Sequence, residues 1–353
     1  VLAQEDQWDM EEWGDEEAAA SHRFSGFVEF ALGTRLSSDP VINTDKTLVD
    51  LRAQLQWDQD FDASRIKFTA DVYYDGALDQ TKLQIREFAW QGSVNAIVEL
   101  GDWGKKLDVK VGQQILTWGT GDYVFLNDLF PKDFQSFFAG RDDDYLKAPS
   151  LSAKVSGFFD WANVDVVITP KFTPDNYING DYFSFFSLFA GANVAPGFNV
   201  KSPNKPSSPE YALRNYKTIG STEYAGYAYI GAHKSPASFT EFGEPYFSKL
   251  RVYGASAITP FADGLLNVEM AYYDSRGDEQ GSNPLVPNSQ SRWLIGYEQE
   301  LVKNLTASAQ LYLEQISDFD ALKLNSLTPK FDPNQRRVLF TQRLMYRLLQ
   351  QTL

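Results

Sequence analysis

From Phe24 onward the chain alternates apolar and polar residues with a period of two, in several runs of about ten residues or more. In residues 47–58 one face carries Val49, Leu51, Ala53, Leu55 and Trp57, and the other Leu48, Asp50, Arg52, Gln54, Gln56 and Asp58. The pattern returns in 305–314, where Leu305, Ala307, Ala309, Leu311 and Leu313 oppose Thr306, Ser308, Gln310, Tyr312 and Glu314. Ile66, Phe68, Ala70 and Val72 face away from Lys67, Thr69, Asp71 and Tyr73 in the same manner, as do Leu266, Val268, Met270 and Tyr272 from Asn267, Glu269, Ala271 and Tyr273. Successive side chains of a strand point to opposite faces, so each run reads as a strand with one apolar face. No run approaches the roughly 18 uninterrupted apolar residues that a membrane helix needs. Spanning strands stay open, because they show only alternate residues to lipid.

Soluble sheets alternate too, so strand length, turn asymmetry and the position of aromatics discriminate. Several runs reach the length of about ten residues that a tilted membrane strand requires, against roughly five or six in soluble sheets. Short turns, such as Phe61-Asp62-Ala63-Ser64, Pro260-Phe261-Ala262-Asp263 and Val302-Lys303-Asn304, alternate with much longer connections. Trp57, Tyr74, Trp103, Trp118, Trp161 and Trp293 fall near the ends of runs, where amphipathic rings sit at headgroup level. About thirteen runs are visible in the sequence, and the even numbers usual in bacterial barrels raise the expected count to about 14 or more. The expected fold is all-β, a transmembrane antiparallel β-barrel over residues 23–353. Its long extracellular loops are expected near 118–148, 171–219, 233–248, 277–289 and 316–335. The ending Gln350-Gln351-Thr352-Leu353 lacks a terminal aromatic, which suggests C-terminal truncation with closing strands beyond it.

The formal net charge of -15 argues against nucleic acid, whose phosphates need a concentrated basic surface. There is no cysteine among 353 residues, in keeping with an oxidising compartment. Val1-Leu2-Ala3 before Gln4 resembles the end of a signal peptide. Residues 1–22 carry eight acidic and no Lys or Arg residues, and read as an acidic periplasmic tail. That tail is either solvated or, through Trp8 and Trp13, a peptide that binds a periplasmic partner.

One set of motifs goes beyond alternation. Arg86-Glu87-Phe88-Ala89-Trp90 is followed by Val109-Lys110-Val111-Gly112-Gln113-Gln114, by Thr117-Trp118-Gly119 and by Asp128-Leu129-Phe130-Pro131-Lys132-Asp133. Val166-Val167-Ile168-Thr169-Pro170-Lys171-Phe172, Tyr253-Gly254-Ala255-Ser256, Asn267-Val268-Glu269 with Tyr272-Tyr273, and Leu294-Ile295-Gly296-Tyr297-Glu298-Gln299-Glu300 come later in the same order. Over roughly residues 24–353 the chain resembles a family of uncharacterised proteobacterial outer-membrane β-barrels, related to alginate-export porins and associated with RND-type exporters. In that family the segment like Leu344-Met345-Tyr346-Arg347-Leu348 is followed by further strands. The resemblance implies a barrel in the outer membrane of a Gram-negative bacterium, surrounded by lipid and lipopolysaccharide.

In a lipid-embedded barrel the polar faces line the lumen. By parity Asp50, Arg52, Lys67, Asp71, Arg86, Lys110, Glu269, Glu298, Arg343 and Arg347 lie there. They either set a transverse field that sorts solutes or neutralise one another so that a polar interior folds. Residues 119–148 form the connection expected to constrict the pore, with Phe130, Lys132, Asp133, Phe134, Phe137, Phe138, Arg141, Asp142, Asp143 and Asp144. The three consecutive aspartates make a solvated acidic turn or a calcium site, although EF-hand spacing is absent. Phe183, Phe186 and Phe189, spaced by three behind Asp181, suggest a short amphipathic helix that gates the barrel or packs on its own aromatics.

Enzymatic chemistry finds little support. His22 and His233 are the only histidines, too few for a histidine zinc cluster and outside any triad-like motif. Gly119-Thr120-Gly121 lacks the third glycine of a nucleotide loop. No catalytic residue, metal site or cofactor is expected. The function expected is a porin-like channel for a small solute, with selectivity set by lumen charges and an inward-folded loop. The alternative is an envelope assembly or transport partner, which passes apolar or lipid-like molecules between the outer membrane and a periplasmic or RND-type complex.

Overall fold

The structure is a computed structural model that describes residues 22–187, 190–195, 202–326 and 333–347. The expected acidic tail, through residue 21, lies outside the described residues. One antiparallel sheet of fourteen strands dominates. Its strands are β1 (His22–Thr34), β2 (Lys46–Phe61), β3 (Ser64–Asp75), β4 (Gln80–Ser93), β5 (Leu107–Gln114), β6 (Ser150–Phe158) and β7 (Asn163–Thr169). After two very short strands, β8 (Phe185–Ser187) and β9 (Ala192–Val194), it resumes with β10 (Glu210–Ile219) and β11 (Thr222–Ala232). A second small pair, β12 (Ser238–Phe239) and β13 (Pro245–Tyr246), precedes β14 (Lys249–Phe261), β15 (Gly264–Ser275), β16 (Gln290–Val302), β17 (Leu305–Ile316) and β18 (Arg336–Tyr346). Neighbours in the large sheet follow one another along the chain, apart from the two small hairpins. Among the described residues no ladder joins β1 to β18.

The two ends of this sheet differ as the turn pattern predicts. At one end, turns of two residues join β2 to β3, β10 to β11, β14 to β15 and β16 to β17. At the other, long connections follow β5, β7, β11, β15 and β17. The connection expected over 171–219 is shorter than that, because β10 pairs with β7 and β11 from Glu210 onward. Its alternation of Tyr211 and Leu213 with Ala212 and Arg214 is brief and follows the Pro- and Ser-rich stretch 202–209, which conceals the strand start. This is the strand the thirteen-run count lacks.

Burial inverts the order of a soluble protein. Leu51 is 54% exposed and its neighbour Arg52 is 1% exposed; Val268 is 43% exposed and Glu269 is 1% exposed. Phe24, Phe30, Leu55, Leu83, Ile295, Phe340 and Leu344 extend the exposed apolar face across the sheet, while Asp50, Asp71, Asp75, Arg86, Gln114 and Arg214 are buried on the other. An apolar surface of this breadth is stable only against lipid or another apolar body. No helix among the described residues is long and apolar enough to cross a membrane; the broad apolar surface belongs to the strands.

Two expectations from spacing are corrected. Phe183 and Phe186 lie on no helix: Phe186 belongs to β8, which pairs with β9, and Asp181 pairs with Asn179 through its carboxylate instead of capping a helix. Aromatic residues favour extended backbone, and Gly191, at a φ of 61°, supplies the left-handed turn residue of the hairpin. Phe189 lies outside the described residues. Trp118 is no interfacial ring either; it is buried against Phe130 and Tyr227, because the chain turns inward after β5.

Candidate functional site

The site is built by residues 115–149, which fold against the buried face of the sheet. Gly119 has a φ of 83°, a backbone that side chains rarely adopt, and a Cβ there would stand 3.1 Å from the Glu269 carboxylate. That geometry turns Thr120 toward β15. The Thr120 N–H and its hydroxyl both donate to Glu269 Oε1, the hydroxyl at 2.9 Å, and Asn127 Nδ2 donates to Oε2 at 2.8 Å. Asn267 Nδ2 donates to the Thr120 hydroxyl at 3.1 Å and the Tyr273 hydroxyl to the Leu126 carbonyl at 2.7 Å. Glu269 is paired with no Lys or Arg among the described residues; neutral donors hold its carboxylate. Around this anchor Leu116, Trp118, Leu126 and Phe130 pack with Tyr227, Val252 and Leu294. Burial of this kind is non-directional and supplies most of the adhesion between loop and wall.

A six-residue helix, α1 (Phe134–Ala139), then crosses toward the opposite wall. Asp133 caps it by accepting from the Ser136 N–H at 2.7 Å, and Gly140, at a φ of 82°, ends it. Beyond the turn Arg141 Nε donates to Asp50 on β2 at 2.9 Å. Asp142 caps the next turn by accepting from the Asp144 N–H, Asp143 pairs with Arg343 on β18, and the Asp144 carbonyl accepts from Arg86 on β4 at 2.7 Å. Asp122 accepts from Ser308 on β17 at 3.0 Å; burial, followed by repulsion from Glu298, raises its carboxyl pKa. One loop therefore touches β2, β4, β15, β17 and β18 from the same side, which requires the sheet to curl around it.

The wall formed by β2 to β5 carries stacked charges. The Arg52 guanidinium lies 4.1 Å from the Tyr73 ring centre and 4.3 Å from that of Tyr145, and Arg86 lies 4.4 Å from Tyr145. Arg52 pairs with Asp71, whose other oxygen accepts from Gln54 at 2.8 Å. Burial pushes the Tyr145 phenol up to about 12 against the opposing pull of Arg52, so it stays a neutral platform between two cations. Further along, Glu87 lies between Lys110 at 2.7 Å and Lys67 at 3.1 Å.

The inward face holds Asp50, Arg52, Lys67, Asp71, Arg86, Lys110, Glu269, Glu298 and Arg343, and Arg347 follows β18, its N–H bonded to the Asn304 carbonyl. Within the constriction set, Lys132 and Asp133 bind loop to loop: Lys132 pairs with Asp128, and Asp133 accepts from Asn176. Phe130 belongs to the apolar cluster; Phe134 is half-buried in α1. Phe137 packs at a tilt on Tyr123, and Phe138 reaches Phe183 of the next loop. Sequence parity misses Glu87, because the register shifts between Thr69 and Ala70 and turns Arg86 and Glu87, consecutive residues, to the same face. That is the effect of a β-bulge. Thr120, Asn127 and Tyr145 carry no signal in the sequence, as their roles come from contacts far along the chain.

No family model matches the chain, and no curated relative does. Among solved structures it is similar to a loop L8 deletion mutant of OmpT, an outer-membrane protein of Vibrio cholerae, at 13% identity, covering 85% of this chain and 84% of that one with a TM-score of 0.45. It is also similar to Salmonella typhi OmpF in complex with daunomycin, at 6% identity, 85% and 80% coverage and a TM-score of 0.44. Pseudomonas putida OprB gives 12% identity, 92% and 84% coverage and a TM-score of 0.42. At scores this low, the fold and site stand on this chain's own residues.

Proposed function

We propose that this chain is a porin-like β-barrel channel of a Gram-negative outer membrane, which admits a small polar solute past a constriction made by residues 115–149. The single observation that supports it most is the inward loop itself: it is anchored to Glu269 on one wall and reaches Asp50 and Arg86 on the other, within a sheet whose outer face is apolar. Spanning strands with a polar interior need the interior charges neutralised or hydrated, and a charged wall beside a narrow passage sorts ions by sign. Arg52, Arg86, Lys67, Lys110 and Glu87 are the residues assigned that sorting. Phe24, Phe30, Leu55 and Phe340 meet lipid acyl chains. No enzymatic step is assigned to the chain.

Reconstituted in a planar bilayer, the purified protein is expected to give discrete conductance steps. The double variant Glu269→Ala, Arg141→Ala, which loosens both loop anchors, is expected to enlarge them. Silence from wild type and double variant, both inserted and heat-modifiable on a gel, overturns the channel reading.

A further inference from the structure

Along the start of β14 exposure alternates: Lys249, Arg251 and Tyr253 are exposed on the outward face, while Leu250 and Val252 between them are buried. Lys249 stands at the end of the sheet that carries the long connections, since the other end of β14 runs through a two-residue turn into β15. Toward that end the outward surface changes in bands. Ala255, Met270 and Trp293 pair across β14, β15 and β16. Two residues farther along, Tyr253 opposes Tyr272, and both rings are exposed. Arg251 follows, between Ile230 on β11 and Asp274 on β15, and Lys249 lies beyond it. This is the order of a lipid boundary, from acyl chains through amphipathic rings at headgroup level to charge. Asp274, the acid opposite Arg251, is engaged by Arg276 at 3.6 Å, which also pairs with Glu279 at 2.5 Å. Among the described residues neither Lys249 nor Arg251 makes an ion pair or a side-chain hydrogen bond. Lys217, an outward cation near the opposite end of the sheet, donates instead to the Asp160 carbonyl at 2.9 Å.

We propose that Lys249 and Arg251 bind a phosphate of lipid A, the phosphorylated glycolipid of the outer leaflet. Under the proposed function the long connections lie outside the cell, so this end of the strands meets that leaflet. A guanidinium forks onto two phosphate oxygens, and an ammonium adds a point charge. Two residues of strand set the two Cα atoms about 7 Å apart, and their long side chains converge on one phosphate. Tyr253 and Tyr272, just below, offer ring faces and hydroxyls to the sugar that carries it. An uncharged headgroup leaves both cations without a counter-charge, and a zwitterionic one brings a cation of its own. The assignment rests on the outer-membrane reading and not on conduction.

The test is saturable lipid binding by the full chain in uncharged detergent micelles, read by native mass spectrometry. The probes are diphosphoryl lipid A, the same lipid with both phosphates removed, phosphatidylglycerol and inorganic phosphate. Diphosphoryl lipid A is expected to bind, and to bind about tenfold or more weakly to the double variant Lys249→Gln, Arg251→Gln. Removing the phosphates from the lipid should weaken binding to the wild type by a similar factor. Both side chains are exposed, so the double variant keeps its heat-modifiable fold, and Lys217→Gln should leave binding unchanged. Lipid A binding unmoved by the double variant or by dephosphorylation, or an equal loss from Lys217→Gln, overturns the inference. So does phosphatidylglycerol bound as tightly with the same sensitivity, or displacement of the lipid by inorganic phosphate at equal concentration. A protein that is silent in a bilayer yet binds lipid A in this way keeps the inference and loses only the channel.

Discussion

The two walls that hold the inward loop do so by different physics. On the β7 to β17 side, Trp118, Leu126 and Phe130 are buried among Tyr227, Val252 and Leu294, and the Glu269 and Asp122 carboxylates meet neutral donors. On the β2 to β5 side the contacts are ion pairs and cations over rings: Arg141 on Asp50, Arg52 and Arg86 on Tyr145. Apolar burial is non-directional and tolerates small shifts, whereas these charged contacts are directional and depend on each partner being in place. The first wall therefore fixes the loop; under the proposed function, the second is where a passing ion is sensed.

The largest break in this contrast is expected from Trp118→Ala, which removes the ring at the centre of the apolar contact. A stability loss of about 3–5 kcal/mol is anticipated, as for other buried large-to-small changes, read from denaturant unfolding in detergent. A loss no larger than that from Arg141→Ala sinks the contrast between the walls. That second variant should cost only about 1–3 kcal/mol, because Asp50 keeps Arg52 as a neighbour at 3.8 Å. It should broaden the conductance distribution, as the loop loses one tether and keeps the other.

Glu87→Gln sharpens the comparison from the charged side alone. Stability should fall by about 1–3 kcal/mol, since Glu87 and Lys110 are largely buried and the charge shared by the two lysines is lost. Reversal potential in a salt gradient should shift toward anions, because two lysines lose their shared counter-charge. An unmoved reversal potential removes β4 from the selectivity assignment.

The last effect is confined to a pH window. The His233 Nε2 is buried without a hydrogen-bond partner; burial first, and then the Arg292 guanidinium, lowers its pKa to about 4, against about 6.5 in an unfolded chain. Between these values the unfolded chain takes up a proton that the folded chain refuses. The contribution of His233 is thus full above a pH of about 6.5 and drains away as pH falls toward about 4. His233→Gln should flatten the stability curve in that window, and an equally steep curve assigns the titration to another group.

Much of the fold was legible because strand parity is local. Asp50 and Arg52 on one face, with Leu51 and Leu55 on the other, need only the pleat and the knowledge that one face is apolar. The same parity failed at Glu87, where a bulge adds one residue and reverses the count, and at β10, where a short alternation sits behind a Pro-rich stretch. Three-residue spacing misled at Phe183 and Phe186, since spacing suits a helix only if the backbone has no better partner, and β9 supplies one to Phe186. Within the constriction set, Arg141 and Asp143 do reach the walls, while Lys132 and Asp133 hold the loop to itself and to the connection after β7. Composition cannot separate these cases, because both kinds are charged residues in one polar connection.

By itself, the sequence determined an antiparallel sheet of long strands with an apolar and a charged face, short turns at one end and long connections at the other. These follow from side-chain alternation and turn chemistry, both properties of neighbouring residues. Only the tertiary structure decided that the connection after β5 turns inward, that Glu269 anchors it through Thr120 and Asn127, and that Tyr145 stands between two arginines. Those contacts join residues about 60 to 150 positions apart. Their partners are set by how the whole sheet curls, which no local pattern encodes.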